Sequence, residues 1–470
     1  KLIKDTLYIA MTDPLNFMAI GDVKAATRKK IVPMIATQEA VDRAIIVLYG
    51  NEGAARAIEE MKLEAEAERA NAVQAAATGE DVQAAPTVRL VNSIIERAVS
   101  ERASDIHLEP HEANLCVRMR VDGMMRNTLT VPKNLESAVI ARLKVMCGMD
   151  IAERKVPQDG RANVRVKQTD IDVRASTLPT IFGEKMVLRL LDKSGGMLNK
   201  KSIGLTGEDL EKYERLLGNA SGVILIVGPT GSGKSSTMYT MIQELNRETV
   251  NLVTLEDPVE YQMEGVNQVQ INEKTGMTFA SGLRSILRQD PDIVCVGEIR
   301  DNETAEIAMR AALTGHLVIS TLHTNDAITS IDRLEDMDVE PYLIASALKG
   351  VIAQRLVRRI CPHCKQAYTP SAEELAAIGV KTDAPPTLYK GKGCPDCFHT
   401  GYRGRMGVFE ILMIDRDMRF AVSEGARQGE LEGIAGKNGF VTLAAQCRKL
   451  VLAGVTTAEE AMRTINSTVI

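Results

Sequence analysis

Eight consecutive residues, Gly228-Pro-Thr-Gly-Ser-Gly233-Lys234-Ser235, follow directly on the apolar run Val223–Val227. They match GxxxxGK[ST], a loop whose glycines let successive backbone N–H groups turn inward around a phosphate. The helix after the loop presents its positive end to the same anion. The expected nucleotide-binding residues are therefore Gly228, Pro229, Thr230, Gly231, Ser232, Gly233, Lys234 and Ser235, with Ser236 behind them. Lys234 is expected to reach the β- and γ-phosphates of ATP, and the Ser235 hydroxyl to ligate Mg²⁺. Such a loop belongs between a buried strand and a helix. It commits this part of the chain to an α/β fold.

The flanking sequence agrees. From Ile203 onward the short apolar runs Val223–Val227, Asn251–Leu255, Ile293–Val296 and Leu317–Ser320 alternate with helical stretches. That pattern predicts a largely parallel sheet covered on both faces. At 470 residues the chain has room for about two to four domains. Residues 1–50, with a strand over Thr6–Met11 and a helix-like stretch holding Val41, Ile45, Ile46 and Leu48, read as the end of a small α/β domain. Residues 51–86 read as a linker region, a charged helix over Ile58–Arg69 followed by a mobile segment, Ala70–Pro86.

Order returns with Val91, Ile94, Ile95, Ala98 and Val99 at helical spacing, followed by Leu115, Val117, Met119 and Val121 alternating with polar residues. Asp122-Gly123 signals a turn, and Val164–Lys167, Ile171–Ala175 and Val187–Leu191 continue the sheet. Residues 87–190 are thus expected to form a second α/β domain with arginines on its strands. A Gly-containing linker, 191–202, would join it to a nucleotide-binding domain over 203–470.

Two further strand ends carry acids. Asp292-Ile-Val-Cys-Val-Gly-Glu298 closes an apolar strand, and Leu255-Glu256-Asp257-Pro258 closes another. Ligands gather at the carboxyl ends of strands in open α/β sheets. Glu298 is expected to act on Mg²⁺ through water. Glu256 is expected to orient the attacking water and take its proton. His316 and His323 flank the strand at 317–320, and His323 reads as a γ-phosphate sensor, against the alternative of a hydrogen-bonded core histidine.

Of eight cysteines, four form the pairs Cys361-x-x-Cys364 and Cys394-x-x-Cys397. Two such knuckles can hold one Zn²⁺ tetrahedrally, with no coordination position left for catalysis; a disulfide or redox pair is the alternative. His363 and His399 stand next to the knuckles. Cys116, Cys147, Cys295 and Cys447 read as buried small hydrophobes. Arg355, Arg358, Arg359 and Lys365 read as a solvated basic face.

Composition narrows the partners. Lys and Arg number 57 against 62 Asp and Glu, a formal charge of −5, and there is no Trp and only 3% aromatic residues. Neither balance suits a chain that lives on nucleic acid. No apolar run approaches a membrane span, and Lys1–Met11 does not read as a signal peptide. The chain reads as a cytoplasmic protein, and its start without Met suggests a fragment.

Together these residues resemble the type II secretion and type IV pilus assembly ATPase family, over Val88–Ile470 and more loosely over 1–50. Ala103-Ser-Asp-Ile-His-Leu-Glu-Pro110 looks like the opening of the family's second N-terminal domain, and Pro157–Arg161 and Asp172–Thr177 like its arginine-bearing strands. The phosphate loop, an "Asp box" at Glu256-Asp257, a Walker B at Gly297-Glu298 and a "His box" at 314–326 follow in the family's order. The cysteine insert, 361–397, and Gly401-Tyr-Arg-Gly-Arg-Met-Gly-Val-Phe-Glu410 look like the assembly and secretion branch. The resemblance implies a RecA-like P-loop ATPase core with a zinc-binding insert, preceded by a small PAS-like α/β domain and a partial N-terminal domain. The absent front of that domain would carry platform or cyclic-dinucleotide contacts in some relatives. It further implies a homohexamer at the inner face of the cytoplasmic membrane, driving pilin or pseudopilin into a fibre through an inner-membrane platform protein.

A P-loop core also needs an arginine to neutralise the transferring phosphate. Arg174, with Arg161 and Arg189, is the expected source, and the linker would let their domain swing over the nucleotide. The alternatives are a hexameric nucleic-acid translocase gripping DNA with zinc knuckles, and a scaffold that binds nucleotide without hydrolysis.

Overall fold

Strand-forming runs near the start pair locally. In a computed structural model, β1 (Leu2–Ile3) and β2 (Thr6–Met11) are antiparallel, and β3 (Lys30–Ile35) returns parallel to β2 after the helix Phe17–Thr27. The described residues are 1–38, 84–192, 199–381 and 385–466, with short helical pieces between 40 and 61. They divide into two units, Lys1–Gly195 and Gly196–Ile470.

In the first unit, period-2 alternation builds a six-stranded antiparallel sheet. Its strands are β4 (Ala103–Pro110), β5 (Asn114–Val121), β6 (Met124–Pro132), β7 (Gln158–Val166), β8 (Thr169–Thr180) and β9 (Gly183–Asp192), in the order β6-β5-β4-β9-β8-β7. Ile106, Leu108, Val117, Met119, Val173 and Leu188 point to one face. There they share a core with Leu90, Val91, Ile94 and Ile95 of the helix Ala84–Ser100 and Val139, Ile140 and Leu143 of the helix Glu136–Met146. The opposite face is charged.

Several boundaries move. The helix Ala84–Ser100 absorbs the last three residues of the expected mobile segment, because Pro86 is tolerated in a first helical turn. Ile58 and Met61 are buried in this core and Glu59 and Glu60 are exposed, while residues 62–83, like Ile46 and Leu48, lie outside the described residues. Leu191 and Asp192, expected in the linker, are the last residues of β9, where they pair with Asp172 and Ile171.

The second unit is built on β10 (Gly222–Val227), β11 (Leu252–Glu256), β12 (Asn267–Gln270), β13 (Ile293–Val296), β14 (Leu317–Leu322) and β15 (Leu348–Ile360). A small ribbon, β16 (Lys365–Tyr368) with β17 (Leu388–Gly391), lies apart, and β18 (Tyr402–Met413) completes the main sheet. The order is β12-β11-β13-β14-β10-β15-β18, parallel throughout except for the last pair. Along β10, Val223, Leu225 and Val227 enter one core layer and Ile224 and Ile226 the other, so apolar packing covers both faces as the sequence predicts. Strands β10, β11, β13 and β14 run parallel, and their carboxyl ends meet at one edge.

Candidate nucleotide site and cysteine cluster

The phosphate loop leaves β10 at Val227 and enters the helix Lys234–Leu245. Gly228 has a φ of +148°, and a Cβ there would lie 2.5 Å from the Gln354 carbonyl oxygen on β15. Only glycine lets the loop lie that close to the neighbouring strand. Lys234 is buried, and its Nζ donates to the carbonyls of Gly228 at 2.7 Å and Pro229 at 3.2 Å. Burial pulls this lysine down to about 8; the Arg355 charge acts the same way and Glu298 opposes them. Ser235 is exposed at the mouth of the loop, and Ser236 is half-buried beside it.

The two acids arrive from neighbouring strands. Glu256 is the last residue of β11 and is buried. Its Oε1 accepts from Thr254 Oγ1 at 2.5 Å and Gln268 Nε2 at 3.1 Å, and its Oε2 accepts from the Tyr239 hydroxyl. Glu298 follows β13. Its Oε1 accepts from Arg300, and its Oε2 lies 3.2 Å from His323 Nε2. Gly297, before it, donates its N–H to the Leu255 carbonyl at 2.8 Å, and a Cβ at Gly297 would stand 3.2 Å from that oxygen. A larger residue would push Glu298 away from β11.

Thr230, Gly231, Gly233, Lys234, Ser235, Ser236, Glu256, Glu298 and His323 line one cleft of about 380 Å³, together with Tyr239, Thr321 and Arg405. A phosphate chain has backbone donors and a lysine on one side of this cleft and carboxylates on the other. That arrangement can bind a nucleotide, hold a hydrated cation and accept a proton from water. His316 is elsewhere: its Nδ1 lies 2.9 Å from the Ala311 carbonyl, a hydrogen-bonded structural histidine. The sequence reading overlooked Tyr239 and Arg405. Tyr239 carried a signal, since it falls four residues after Ser235 on the same helix face.

Arg161, Arg174 and Arg189 belong to the other unit. Arg161 pairs with Arg174 across β7 and β8, and Arg174 with Arg189 across β8 and β9, so the three occupy one row of the sheet. Arg161 is exposed, Arg174 Nε lies 3.7 Å from Asp172 Oδ2, and Arg189 Nε lies 3.2 Å from Asp105 Oδ1.

The four knuckle cysteines converge at the far end of the β15–β18 pair. Their sulfurs lie within 4.8 Å of one another, with Cys361–Cys394 at 3.8 Å, Cys364–Cys397 at 3.9 Å and Cys394–Cys397 at 3.7 Å. A tetrahedral zinc with bonds of about 2.3 Å requires sulfurs about 3.8 Å apart, so the cluster fits that ion. Burial raises the Cys397 thiol, but N–H groups of Cys394 and Gly401 outweigh it and bring the thiol down to about 7. None of the eight cysteines is joined in a disulfide. His363 and His399 are exposed and outside the cluster.

Two expectations about side chains fail. Arg355 is buried, donating to the carbonyls of Gln354 and Asn325, and Arg358 pairs with the buried Glu460 at 2.7 Å while covering the Tyr402 ring. They cannot form a solvated face, because β15 runs through the interior and only Arg359 and Lys365 remain exposed. Cys116 is half-buried, since it sits on the charged face of its sheet rather than the apolar one.

A family model for type II/IV secretion system proteins matches residues 80–463, and one for the MshEN domain matches residues 1–55. Type II secretion system protein E of Pseudomonas aeruginosa is 49% identical over 379 residues, covering 81% of this chain and 75% of the relative. The type IV pilus assembly ATPase PilB of Thermus thermophilus is 43% identical over 468 residues, 98% of this chain and 52% of that protein. Among solved structures, the pilus retraction motor PilT with bound ADP aligns with a TM-score of 0.55 at 29% identity, covering 79% of this chain and 96% of that one. The ATPase DotB of Legionella pneumophila, at 19% identity and a TM-score of 0.60 over 83% of this chain and 98% of its own, shares the fold. The described residues contain no helix long and apolar enough to cross a membrane. With a cleft built on the phosphate loop and a family model spanning residues 80–463, the chain belongs to the type II/IV secretion system family and is an ATPase of that family.

Proposed function

We propose that this chain is the motor of a type IV pilus or a type II secretion pseudopilus, working as a homohexamer on the cytoplasmic side of the inner membrane through a platform protein. The convergence of Lys234, Glu256 and Glu298 at the carboxyl ends of β10, β11 and β13, in one cleft at one edge of the sheet, carries this reading. In it the loop residues 228–236 bind ATP, and Lys234 follows charge on the β- and γ-phosphates. Ser235 ligates Mg²⁺ and Glu298 acts on that ion through water, with His323 sensing the γ-phosphate beside it. Glu256 orients the attacking water and takes its proton. The Arg161–Arg174–Arg189 row supplies the neutralising charge, from the same chain or a neighbour. Zn²⁺ on Cys361, Cys364, Cys394 and Cys397 holds the insert, with no part in hydrolysis.

The match to the pilus assembly ATPase extends over 98% of this chain, which favours the pilus slightly. ATP turnover should rise with the cytoplasmic domain of a membrane platform protein and not with DNA. Stimulation by DNA alone would favour a nucleic-acid translocase, and the surrounding genes would separate pilus from secretion.

A further inference from the structure

The Tyr239 side chain is buried, 5% exposed, yet its hydroxyl is fully used. It donates to Glu256 Oε2 and accepts the backbone N–H groups of Glu260 at 3.1 Å and Tyr261 at 3.3 Å. The ring packs edge-on against Tyr261, with centroids 5.5 Å apart. One phenol thus ties the helix of the phosphate loop to the acid at the end of β11 and to the loop that follows it.

A carboxylate has about four lone-pair sites. On Glu256, Oε1 accepts from Thr254 and Gln268, while Oε2 accepts from Tyr239 alone among the described residues. The remaining site is on Oε2, beside the phenol. We propose that Tyr239 is a positioning residue for ATP hydrolysis: it fixes the Glu256 carboxylate so that the one open lone pair of Oε2 is available to the attacking water. This rests on Glu256 activating water, as proposed above. A tyrosine present only to fill space would have no use for its hydroxyl, and burying that group unpaired is costly.

The chemistry has a direction. Losing a donor to the charged carboxylate raises its proton affinity, so the acid limb of the rate profile moves to higher pH. The other titratable groups around Glu256 are Cys295 on β13, Asp257 and Glu260 on its own loop, and Lys234, Glu298, His323 and Arg405 in the same cleft. Removing the phenol oxygen leaves each of these side chains in place and takes the acceptor from the Glu260 and Tyr261 N–H groups.

The test is steady-state ATP hydrolysis by the whole chain carrying Tyr239→Phe, Glu256→Gln or both. Tyr239→Phe should lower kcat by up to about 10²-fold, the scale of a misplaced reacting group, with KM little changed. Its acid limb should shift upward, and in the Glu256→Gln background it should cost nothing further. A fluorotyrosine at 239 keeps the ring, is a stronger donor, and should move the limb downward. Wild-type kcat and pH profile in Tyr239→Phe, or losses that multiply in the double variant, would overturn the proposal. Wild-type turnover in Glu256→Gln would instead overturn the role of Glu256, and with it that of Tyr239.

Discussion

His323 Nε2 stands 3.2 Å from Oε2 of Glu298, so the residue after β14 and the acid after β13 form one polar pair in the cleft. Arg300 holds the other oxygen of the same carboxylate. Glu298→Gln should keep ATP binding and lose hydrolysis by about 10²–10⁴-fold. His323→Ala should lose less, because the carboxylate keeps Arg300. Turnover and nucleotide affinity, measured separately on each variant, check this; wild-type turnover in Glu298→Gln would remove it from the mechanism.

Lys234 titrates near 8, chiefly through burial, so near that pH part of the protein carries it neutral. Phosphate favours the charged form, and ATP binding near pH 8 should therefore take up protons. Calorimetry in buffers of different ionisation enthalpy reads this uptake directly, and Lys234→Met should remove it. Without nucleotide, the unfolded chain holds more protons than the folded one between about 8 and the ordinary 10.5. Stability should rise with pH across that window, and an unchanged slope in Lys234→Met would refute the assignment.

Zinc should co-purify at one ion per chain. Chelation should free four thiols and loosen residues 361–397 before the phosphate-loop core, because a structural zinc contributes folding energy locally. Hydrogen exchange with and without chelator locates the change. Elemental analysis without zinc, alongside four freely titrating thiols, would exclude the site.

Arg174 stands in register between Arg161 and Arg189. If this row neutralises the transferring phosphate, Arg174→Ala should cut turnover heavily while ATP affinity falls little; a supplied arginine is worth about 10³–10⁵ in other P-loop enzymes. In the ring proposed above, mixing Arg174→Ala with Lys234→Ala chains should recover activity only if the arginine acts across subunits. Full activity in Arg174→Ala alone would leave it a structural partner of Asp172.

Glu460 is fully buried between Arg358, at 2.7 Å, and Arg463, at 2.5 Å. Burial pushes its carboxyl up, but the two arginines outweigh that and hold it below the ordinary 4.5. Glu460→Ala leaves Arg358 without its carboxylate and should cost about 3–5 kcal/mol in chemical denaturation. The wild-type contribution is present above about 4.5 and is lost as the pH falls through the lower folded value. A variant as stable as wild type at neutral pH would show the cluster to be dispensable.

Much of this protein is written in short contiguous stretches. The apolar run before Gly228, the paired cysteines, and the alternation along β5 and β8 each depend on neighbours within a few residues. Local backbone preference and hydrophobic period therefore reveal them. The same holds for Glu256 and Glu298, which announce themselves at the ends of apolar strands. What the sequence could not supply is everything set by strand order and register. That His323 meets Glu298 follows from β13 lying beside β14, and that three arginines share a row follows from the pairing of β7, β8 and β9. Arg355 and Arg358 look like surface charges in sequence, yet β15 carries them into the interior, where they donate to backbone carbonyls and to Glu460. Tyr239 passes for a core aromatic until its hydroxyl is seen on Glu256. Pairings of this kind join residues far apart in the chain, and only the packed sheet, which brings those strands within one spacing of each other, decides them.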